Sequence, residues 1–368
     1  CEYAVVESSS HGLSVKTNRL GNVAFDAVAM MNVTHEHLEF HGTHEQYKFD
    51  KANLFRALDA HNHIKTIAGE NKKIPSIGIV NLEDPSAEYF INSTKKHVYG
   101  YTTLGLAGKA AAETGADAVA LPEIPKNLRY MKAVNIAAAR FGLDFTMETD
   151  GSDASYPVNF DPVQPREYKR ISVQAKLPGA FNAYNIMAAI TAVSSVTGKS
   201  FEELAALVPQ VTPIKGRMTV IDKGQPFELI VDYAHTPSSF ETIFPPVRKR
   251  CSGRMFCVFG SGGERDLTKR PLQGEIAARF CDTVVLADED PRGEDPVELL
   301  KMIAVGAEKA GLKMNENLFI IHERQKAIRE VFKMAQKGDI VLLLGKSHEN
   351  SIIYKDYTMP YDEISEAV

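Results

Sequence analysis

Three segments in the first half of the chain carry side chains typical of metal and phosphate chemistry. Glu7 follows a short apolar run, and a carboxylate at a strand end suits Mg²⁺, which prefers oxygen ligands. A strand-end Glu that caps the next turn explains this position equally well. Residues 32–44 hold four of the eleven histidines, but without the HExxH spacing or a nearby Cys, which disfavours zinc. One imidazole that meets a metal or a phosphate is the favoured interpretation.

Lys51 is the third candidate, on a predicted helix over residues 47–58. Its neighbours Phe49, Leu54 and Phe55 are apolar. A lysine in a low-dielectric setting has a lowered pKa and a nucleophilic neutral amine. Taken alone, Lys51 is also explained by a solvated helix face.

A glycine-rich loop at residues 260–266 leads the second half of the chain. It matches neither GxxxxGK[ST] nor GxGxxG, so the loop does not predict a nucleotide site. Arg265, Lys269 and Arg270 accompany it, and Arg292 follows the next strand, where two arginines at neighbouring strand ends can bind carboxylates. A solvated charged loop is the alternative. Residues 345–349 add a third polar loop at the same predicted sheet edge.

The elements that position these residues alternate between strands and helices, which predicts mainly parallel sheets flanked by helices. In the first half, the predicted strands are 3–6, 24–32, 76–81 and 116–121, and the predicted helices are 47–58, 104–114 and 180–197. In the second half, the predicted strands are 227–232, 254–259, 283–287, 318–321 and 340–344, and the predicted helices are 239–250, 271–280, 296–310 and 323–336. The second series predicts a separate doubly wound domain.

Composition excludes several classes of protein. The 368 residues predict two or three domains, and 44% hydrophobic with 24% charged residues excludes a disordered chain. The net charge of −5 provides no cationic excess for nucleic acid. No run of about 18 apolar residues predicts a membrane span. Four cysteines without CxxC pairs predict no disulfide framework, so we expect a cytoplasmic protein.

Taken together, the order and spacing of these segments resemble the Mur ligases. The segments that carry the resemblance are 7–13, 32–42, 179–185, 216–218, 232–237, 262–270, 289–292 and 345–349. Asp-Tyr-Ala-His-Thr-Pro at 232–237 and Gly-Gly-x-Arg-Asp with Lys-Arg-Pro at 262–271 are the most specific. The resemblance implies a truncated central ATPase-type parallel-sheet domain over 1–217 and a Rossmann-like C-terminal domain over 218–368. It also implies that an N-terminal domain and the P-loop precede residue 1, so that this chain alone does not turn over ATP.

The resemblance also assigns site residues. Glu7 and His37 would bind Mg²⁺ together with a carbamylated Lys51. The residues implied at the ATP site are Asn182, Asn185, Arg217, Asp232 and His235. The residues implied to bind the UDP-MurNAc-dipeptide are Ser9 and Arg19. The residues implied to bind the incoming amino acid are Arg265, Asp290, Arg292, Gly345 and Glu349.

The activity implied is ATP-dependent, acyl-phosphate ligation of a diamino acid to UDP-MurNAc-L-Ala-D-Glu, by a monomer in peptidoglycan precursor synthesis. Arg292 after Asp-Pro favours meso-diaminopimelate, while Glu289, Asp290 and Ser347 depart from the usual pattern and keep L-ornithine and L-lysine open. The alternatives are a non-catalytic homologue without a P-loop that binds a wall precursor or partner, and a ligase of the cyanophycin or folylpolyglutamate type. The segment 99–178 is longer than usual and has no functional explanation from sequence.

Overall fold

The computed structural model describes residues 2–33, 38–67, 69–104, 128–154 and 168–368, with only the backbone at 38, 39 and 67. The chain divides into two compact units, Cys1–Thr212 and Pro213–Val368. Residues 213–217 thus group with the second unit, and the domain boundary after residue 217 stays a prediction. Among the sequence-based predictions, His37, the strand 116–121 and the helix 104–114 beyond its first residue lie outside the described residues.

The first unit is built on a six-stranded mixed sheet. Its strands are β1 (Ala27–Met30), β2 (Ile64–Ile67), β3 (Glu70–Lys73), β4 (Ile77–Asn81), β5 (His97–Thr102), β6 (Arg129–Ala139), β7 (Gly142–Thr149) and β8 (Lys169–Ala175). Its helices are α1 (Ser10–Leu13), α2 (Leu38–His41), α3 (His44–Ala57), α4 (Ala87–Ile91), α5 (Asn182–Thr197) and α6 (Phe201–Ala205). The strand order is β1-β4-β5-β6-β7-β8, while β2 and β3 form a separate hairpin.

The burial of these strands is that expected from their parallel or antiparallel pairing. β1, β4, β5 and β6 are parallel, and the middle of β4 is buried on both faces, as expected for a strand inside a parallel sheet. β7 and β8 add on antiparallel, and β7 alternates between buried and more exposed positions. α5 packs against the sheet through residues such as Met187, which is fully buried beside Tyr99 and Met131 in the same core. Gly198 ends α5 with a φ of 70°.

Two sequence-based predictions differ from this unit. The predicted strand 3–6 is wrong: these residues are exposed, and within the described part of the chain no strand pairs with them. An apolar run becomes a strand only where a neighbouring strand accepts its hydrogen bonds, and local sequence does not encode that neighbour. The strands β2, β3 and β5 to β8 were not predicted, although β5 to β8 occupy much of the segment 99–178 that sequence left unexplained.

The second unit confirms the predicted doubly wound fold. Its strands are β9 (Thr219–Ile221), β10 (Glu228–Asp232), β11 (Met255–Phe259), β12 (Thr283–Leu286), β13 (Leu318–Ile320), β14 (Ile340–Leu344), β15 (Ser351–Ile353) and β16 (Thr358–Pro360). Its helices are α7 (Pro237–Arg250), α8 (Lys269–Phe280), α9 (Pro296–Lys309), α10 (Arg324–Met334) and α11 (Glu363–Glu366). The order β13-β12-β11-β14-β10-β9 is parallel except for β9. The carboxyl ends of β10, β11, β12 and β14 therefore share one edge.

In the second unit, helices α8 and α9 pack so closely that their backbones are in contact. A Cβ placed on Gly306 would lie 1.8 Å from the Pro271 carbonyl oxygen, and one on Gly274 would lie 2.0 Å from that of Ile303. Only glycine permits this approach, which fixes the loops that enter both helices. None of the helices in the described ranges is both long and apolar enough to cross a membrane.

Candidate active site

Lys51 and Glu7 lie on one cavity of the first unit. The cavity has a volume of about 1370 Å³, and its lining includes both residues together with Asn32, at the carboxyl end of β1. Lys51 Nζ donates to the Asn32 carbonyl oxygen at 3.1 Å and lies 5.0 Å from the Tyr47 ring centroid. Glu7 is exposed. Among the described residues, no group of three or more His, Cys, Asp or Glu side chains could hold a metal ion.

Ser9 and Arg19 stand near the start of the first unit. The Ser9 hydroxyl accepts a hydrogen bond from the Gly12 N–H at 3.2 Å and so caps α1. Arg19 is exposed in the segment between α1 and β1. The structure thus gives Ser9 a local capping role, and the substrate contacts of both residues stay predictions.

The two asparagines predicted to contact nucleotide meet at the start of α5. Asn185 Nδ2 donates to Asn182 Oδ1 at 2.9 Å, and Asn182 Nδ2 donates to the Pro178 carbonyl oxygen at 2.7 Å. Positions three apart share a helix face. Asn185 is exposed, and its side chain is held by the hydrogen bond to Asn182.

A polar cluster beside this helix was missed by sequence reasoning. Tyr184 donates to Glu83 Oε2 at 2.6 Å, and Glu83 Oε1 accepts from the hydroxyls of Thr102 at 2.9 Å and Thr103 at 3.0 Å. Burial and the Glu83 charge raise the pKa of Tyr184, so its hydroxyl stays protonated and donates. The cluster ties α5 to the carboxyl ends of β4 and β5. Its sequence signal was Asn-Leu-Glu-Asp at 81–84, directly after a predicted strand.

Arg217, Asp232 and His235 surround the end of β10 in the second unit. Buried Asp232 accepts from the backbone N–H groups of Met218 at 2.7 Å and Ala234 at 2.8 Å. Burial raises the pKa of Asp232 although these hydrogen bonds oppose the shift. The Arg217 guanidinium lies 4.8 Å from the Tyr233 ring centroid, and His235 Nδ1 lies 2.7 Å from the Tyr233 carbonyl oxygen.

The loops that carry Arg265 and Arg292 are in contact. The Gly263 N–H donates to the Asp290 carbonyl oxygen at 2.8 Å, and a Cβ on Gly263 would lie 1.9 Å from the Pro291 carbonyl oxygen. Arg292 has a φ of 55°, and its Nε is buried without a hydrogen-bond partner. The structure therefore places both predicted arginines on adjoining loops at one sheet edge.

Ion pairing distinguishes these arginines from the others in residues 213–368, all of which are described. Seven arginines there form ion pairs with carboxylates: Arg248, Arg250, Arg254, Arg270, Arg279, Arg324 and Arg329. The remaining three are Arg217, Arg265 and Arg292, for which this unit provides no ion pair. Within residues 213–368, the arginines that form no ion pair with a carboxylate are thus the three of this unit that were assigned to ligands from sequence.

The predicted carboxylates Asp290 and Glu349 are bridged by a lysine. The buried Lys346 ammonium donates to Asp290 Oδ1 at 2.9 Å and to Glu349 Oε2 at 2.5 Å. Asp290 also accepts from the Ile353 N–H at 2.9 Å, and Glu349 accepts from Tyr233 at 3.1 Å. Burial, together with the Glu349 charge, raises the pKa of Tyr233 to about 12. Sequence reasoning did not assign Lys346 a role.

Glu289 and Gly345 lie side by side next to this bridge. A Cβ on Gly345 would lie 2.7 Å from Glu289 Oε2, and Gly345 has a φ of 96°. Glu289 Oε2 is buried without a hydrogen-bond partner. A buried carboxylate oxygen without a donor is costly, which makes this position suited to a ligand that brings an N–H group.

Comparison with known families now identifies the class of protein. The description "Mur ligase middle domain" matches residues 1–193, and "Mur ligase, glutamate ligase domain" matches residues 216–347. The chain belongs to the Mur ligase family. It is similar to the UDP-N-acetylmuramyl-tripeptide synthetase of Treponema denticola, with 49% identity over 366 residues, which are 99% of this chain and 62% of that protein.

Two further comparisons are with a protein of lower sequence identity and with a solved structure. The UDP-N-acetylmuramoyl-L-alanyl-D-glutamate--2,6-diaminopimelate ligase of Geobacillus kaustophilus is 30% identical over 98% of this chain and 63% of its own length. The solved structure of a pseudomurein peptide ligase type C from Methanothermus fervidus has the same fold, with a TM-score of 0.60, 15% identity, and coverage of 89% of this chain and 62% of that one. The chain therefore spans less than two thirds of these proteins.

Proposed function

We propose that this protein is an ATP-dependent ligase that joins a diamino acid to the D-glutamate carboxylate of UDP-MurNAc-L-Ala-D-Glu. The observation that carries the proposal is the set of three arginines without carboxylate partners, in a unit where seven others are paired. Guanidinium groups held without an internal acid suit ligands rich in carboxylate and phosphate. The names of the similar proteins from Treponema denticola and Geobacillus kaustophilus support the same reaction. The cytoplasmic location and the monomeric state stay predictions.

The reaction proceeds through an acyl phosphate. The substrate carboxylate attacks the γ-phosphorus of ATP and ADP leaves; the α-amine of the diamino acid then attacks the acyl carbon, losing a proton as phosphate leaves. Asn182 and Asn185 would bind the nucleotide, and Arg217 would stabilise charge on the transferred phosphoryl group. The protein contributes position and electrostatics, since the chemistry needs no covalent intermediate on a side chain.

The donor groups that line the cavity of the first unit are of the kind that bind magnesium. Glu7, the Asn32 carbonyl and a carbamate on Lys51 are all oxygen donors, and these three residues line the same space. His37 would complete the set. When bound, Mg²⁺ would neutralise charge on the phosphoryl group.

The diamino acid favoured is meso-diaminopimelate, because Arg265 and Arg292 offer two cationic partners for its two carboxylates. Glu289 and Glu349 would accept hydrogen bonds from its distal ammonium. L-ornithine and L-lysine form a second candidate class, which the buried and unpartnered Glu289 oxygen favours, because these substrates end in a cation alone.

Product analysis tests the proposal. The full-length protein is incubated with ATP, MgCl₂, UDP-MurNAc-dipeptide and one diamino acid at a time, and the tripeptide product is measured by mass spectrometry. We expect an adduct with meso-diaminopimelate and faster formation than with L-ornithine or L-lysine. An adduct with only L-ornithine or L-lysine would support the ligase reaction but reject meso-diaminopimelate as the substrate. No adduct with any of the three would reject the proposed reaction.

A further inference from the structure

A buried chain of hydrogen bonds links α1, α2 and α3 in the first unit. At its centre, His41 Nδ1 lies 2.8 Å from Asp50 Oδ2 and Nε2 lies 3.0 Å from Ser10 Oγ. Gln46 Nε2 donates to the other carboxylate oxygen of Asp50 at 3.1 Å. Ser10, His41 and Asp50 are all buried. Both imidazole nitrogens and both carboxylate oxygens therefore have partners.

Ser10, His41 and Asp50 are connected like the nucleophile, base and acid of a serine catalytic triad, but they are buried. Ser10 is only 2% exposed and Asp50 is fully buried, so no substrate reaches the hydroxyl. One ring nitrogen of His41 faces the Asp50 carboxylate and the other faces the Ser10 hydroxyl, so a donor and an acceptor are available on the two sides of the ring. The network holds chain segments together and does no chemistry of its own.

The joined segments carry residues of the proposed metal site. Asp50 precedes Lys51 on α3, and successive helix side chains point roughly 100° apart. Anchoring Asp50 inward therefore sets the direction of Lys51, whose ammonium reaches the Asn32 carbonyl oxygen at 3.1 Å. Ser10, at the other end of the network, opens α1 directly after the segment that contains Glu7.

We propose that His41 is a positioning residue for the Mg²⁺ site: through Ser10 and Asp50 it fixes the Glu7 segment relative to Lys51. The inference rests on the proposed function, in which Glu7 and Lys51 bind the metal. Outer groups that orient metal ligands commonly change affinity by about 10- to 100-fold when removed.

The same unit offers a matched control. His63 is also buried, with Nδ1 3.1 Å from Asp26 Oδ1 and Nε2 2.8 Å from the Leu58 carbonyl oxygen. Asp26 lies at the amino end of β1, whereas Asn32 follows its carboxyl end. Asp26 also lines the cavity, so His63→Gln breaks a similar buried pair in the same unit, but at the opposite end of β1 from Asn32.

A measurement of metal binding in the absence of catalytic turnover tests the inference. Mn²⁺, used in place of Mg²⁺, is titrated into the full-length protein and the free ion is measured by electron paramagnetic resonance. We expect about tenfold weaker binding in His41→Gln and Ser10→Ala, and unchanged binding in His63→Gln. Asp50→Asn should retain more affinity than Asp50→Ala, since its amide oxygen still accepts from Nδ1.

Each outcome decides a separate point. Wild-type Mn²⁺ affinity in folded His41→Gln overturns the inference, as does an equal loss in His63→Gln, which would indicate general destabilisation. If His41→Gln fails to fold, Ser10→Ala decides, because it removes one hydroxyl only. If Glu7→Ala and Lys51→Ala also bind like the wild type, the proposed metal site itself is rejected.

Discussion

At the scale of single residues, the arginines of the second unit differ in whether a carboxylate faces them. Arg265 and Arg270 are close in sequence, yet Arg270 is fully buried against Glu294 while Arg265 is exposed without an ion pair. Sequence reasoning places both arginines in one cationic set, because Glu294, the partner of Arg270, lies 24 residues further along the chain. Only the fold distinguishes a structural guanidinium from one available to a ligand.

Arg292→Ala is expected to reduce kcat/KM for meso-diaminopimelate by about 10- to 100-fold, since a hydrogen bond to a charged group contributes roughly 1.5–3 kcal/mol. Use of L-lysine, which lacks the second carboxylate, should change little. Steady-state kinetics with the two amino acids measure the difference. Arg279→Ala, which removes an exposed ion pair with Glu241, is the control and should behave like the wild type. Equal losses for both substrates would contradict a carboxylate contact.

At the scale of elements, sequence predicted the second unit better than the first. The buried parallel strands β10, β11, β12 and β14 are short apolar runs, and local pattern suffices for them. The strands β6 to β8 were missed. The second half of β6 is mostly exposed and rich in alanine, so no apolar run marks the whole strand. The error at residues 3–6 and the missed Glu83–Tyr184 contact have a common cause: both depend on partners distant in sequence.

Glu294 connects three elements around the glycine-rich loop. It accepts from both terminal nitrogens of Arg270 on α8, at 2.7 and 2.8 Å, and from the Glu264 N–H in the loop at 2.5 Å, shortly before α9 begins. The Arg270 guanidinium beside Glu294 holds the pKa of that carboxyl below its usual value of 4.5. A lowered carboxyl pKa stabilises the fold above the unfolded-state pKa, and this contribution is lost as pH falls through the folded-state pKa.

Glu294→Gln should therefore lower the free energy of unfolding by about 1–3 kcal/mol at neutral pH, because it leaves the buried Arg270 charge without its partner. The difference from wild type should begin to shrink below about pH 4.5, where the unfolded-state carboxyl binds a proton, and should vanish below the lowered folded-state pKa, where the native carboxyl also loses its charge. Urea denaturation across this range measures both effects. Glu298→Gln, which removes an exposed pair with Lys301, should match the wild type throughout. A constant difference at every pH would argue against the charge interaction.

At the scale of the whole molecule, both units carry residues assigned to ATP, while only the second carries those assigned to the incoming amino acid. Of the residues assigned to metal and nucleotide, Glu7, Lys51, Asn182 and Asn185 belong to the first unit, whereas Arg217, Asp232 and His235 belong to the second. Those assigned to the incoming amino acid, such as Arg265 and Arg292, belong to the second. Capture of the acyl phosphate therefore draws on residues of the second unit that phosphorylation of the dipeptide does not use, so that mutations of Arg265 and Arg292 should separate the two half-reactions.

Sustained ADP release should accordingly require both the UDP-linked dipeptide and the diamino acid. Without the dipeptide there is no phosphoryl acceptor, and without the diamino acid the acyl phosphate accumulates after about one turnover per protein. The Arg265→Ala, Arg292→Ala double variant should mimic omission of the diamino acid, with a first turnover but no steady state, whereas Lys51→Ala should lose both. Rapid-quench measurement of ADP distinguishes these cases, and ADP release that is equally fast without either substrate would show that hydrolysis is not coupled to ligation.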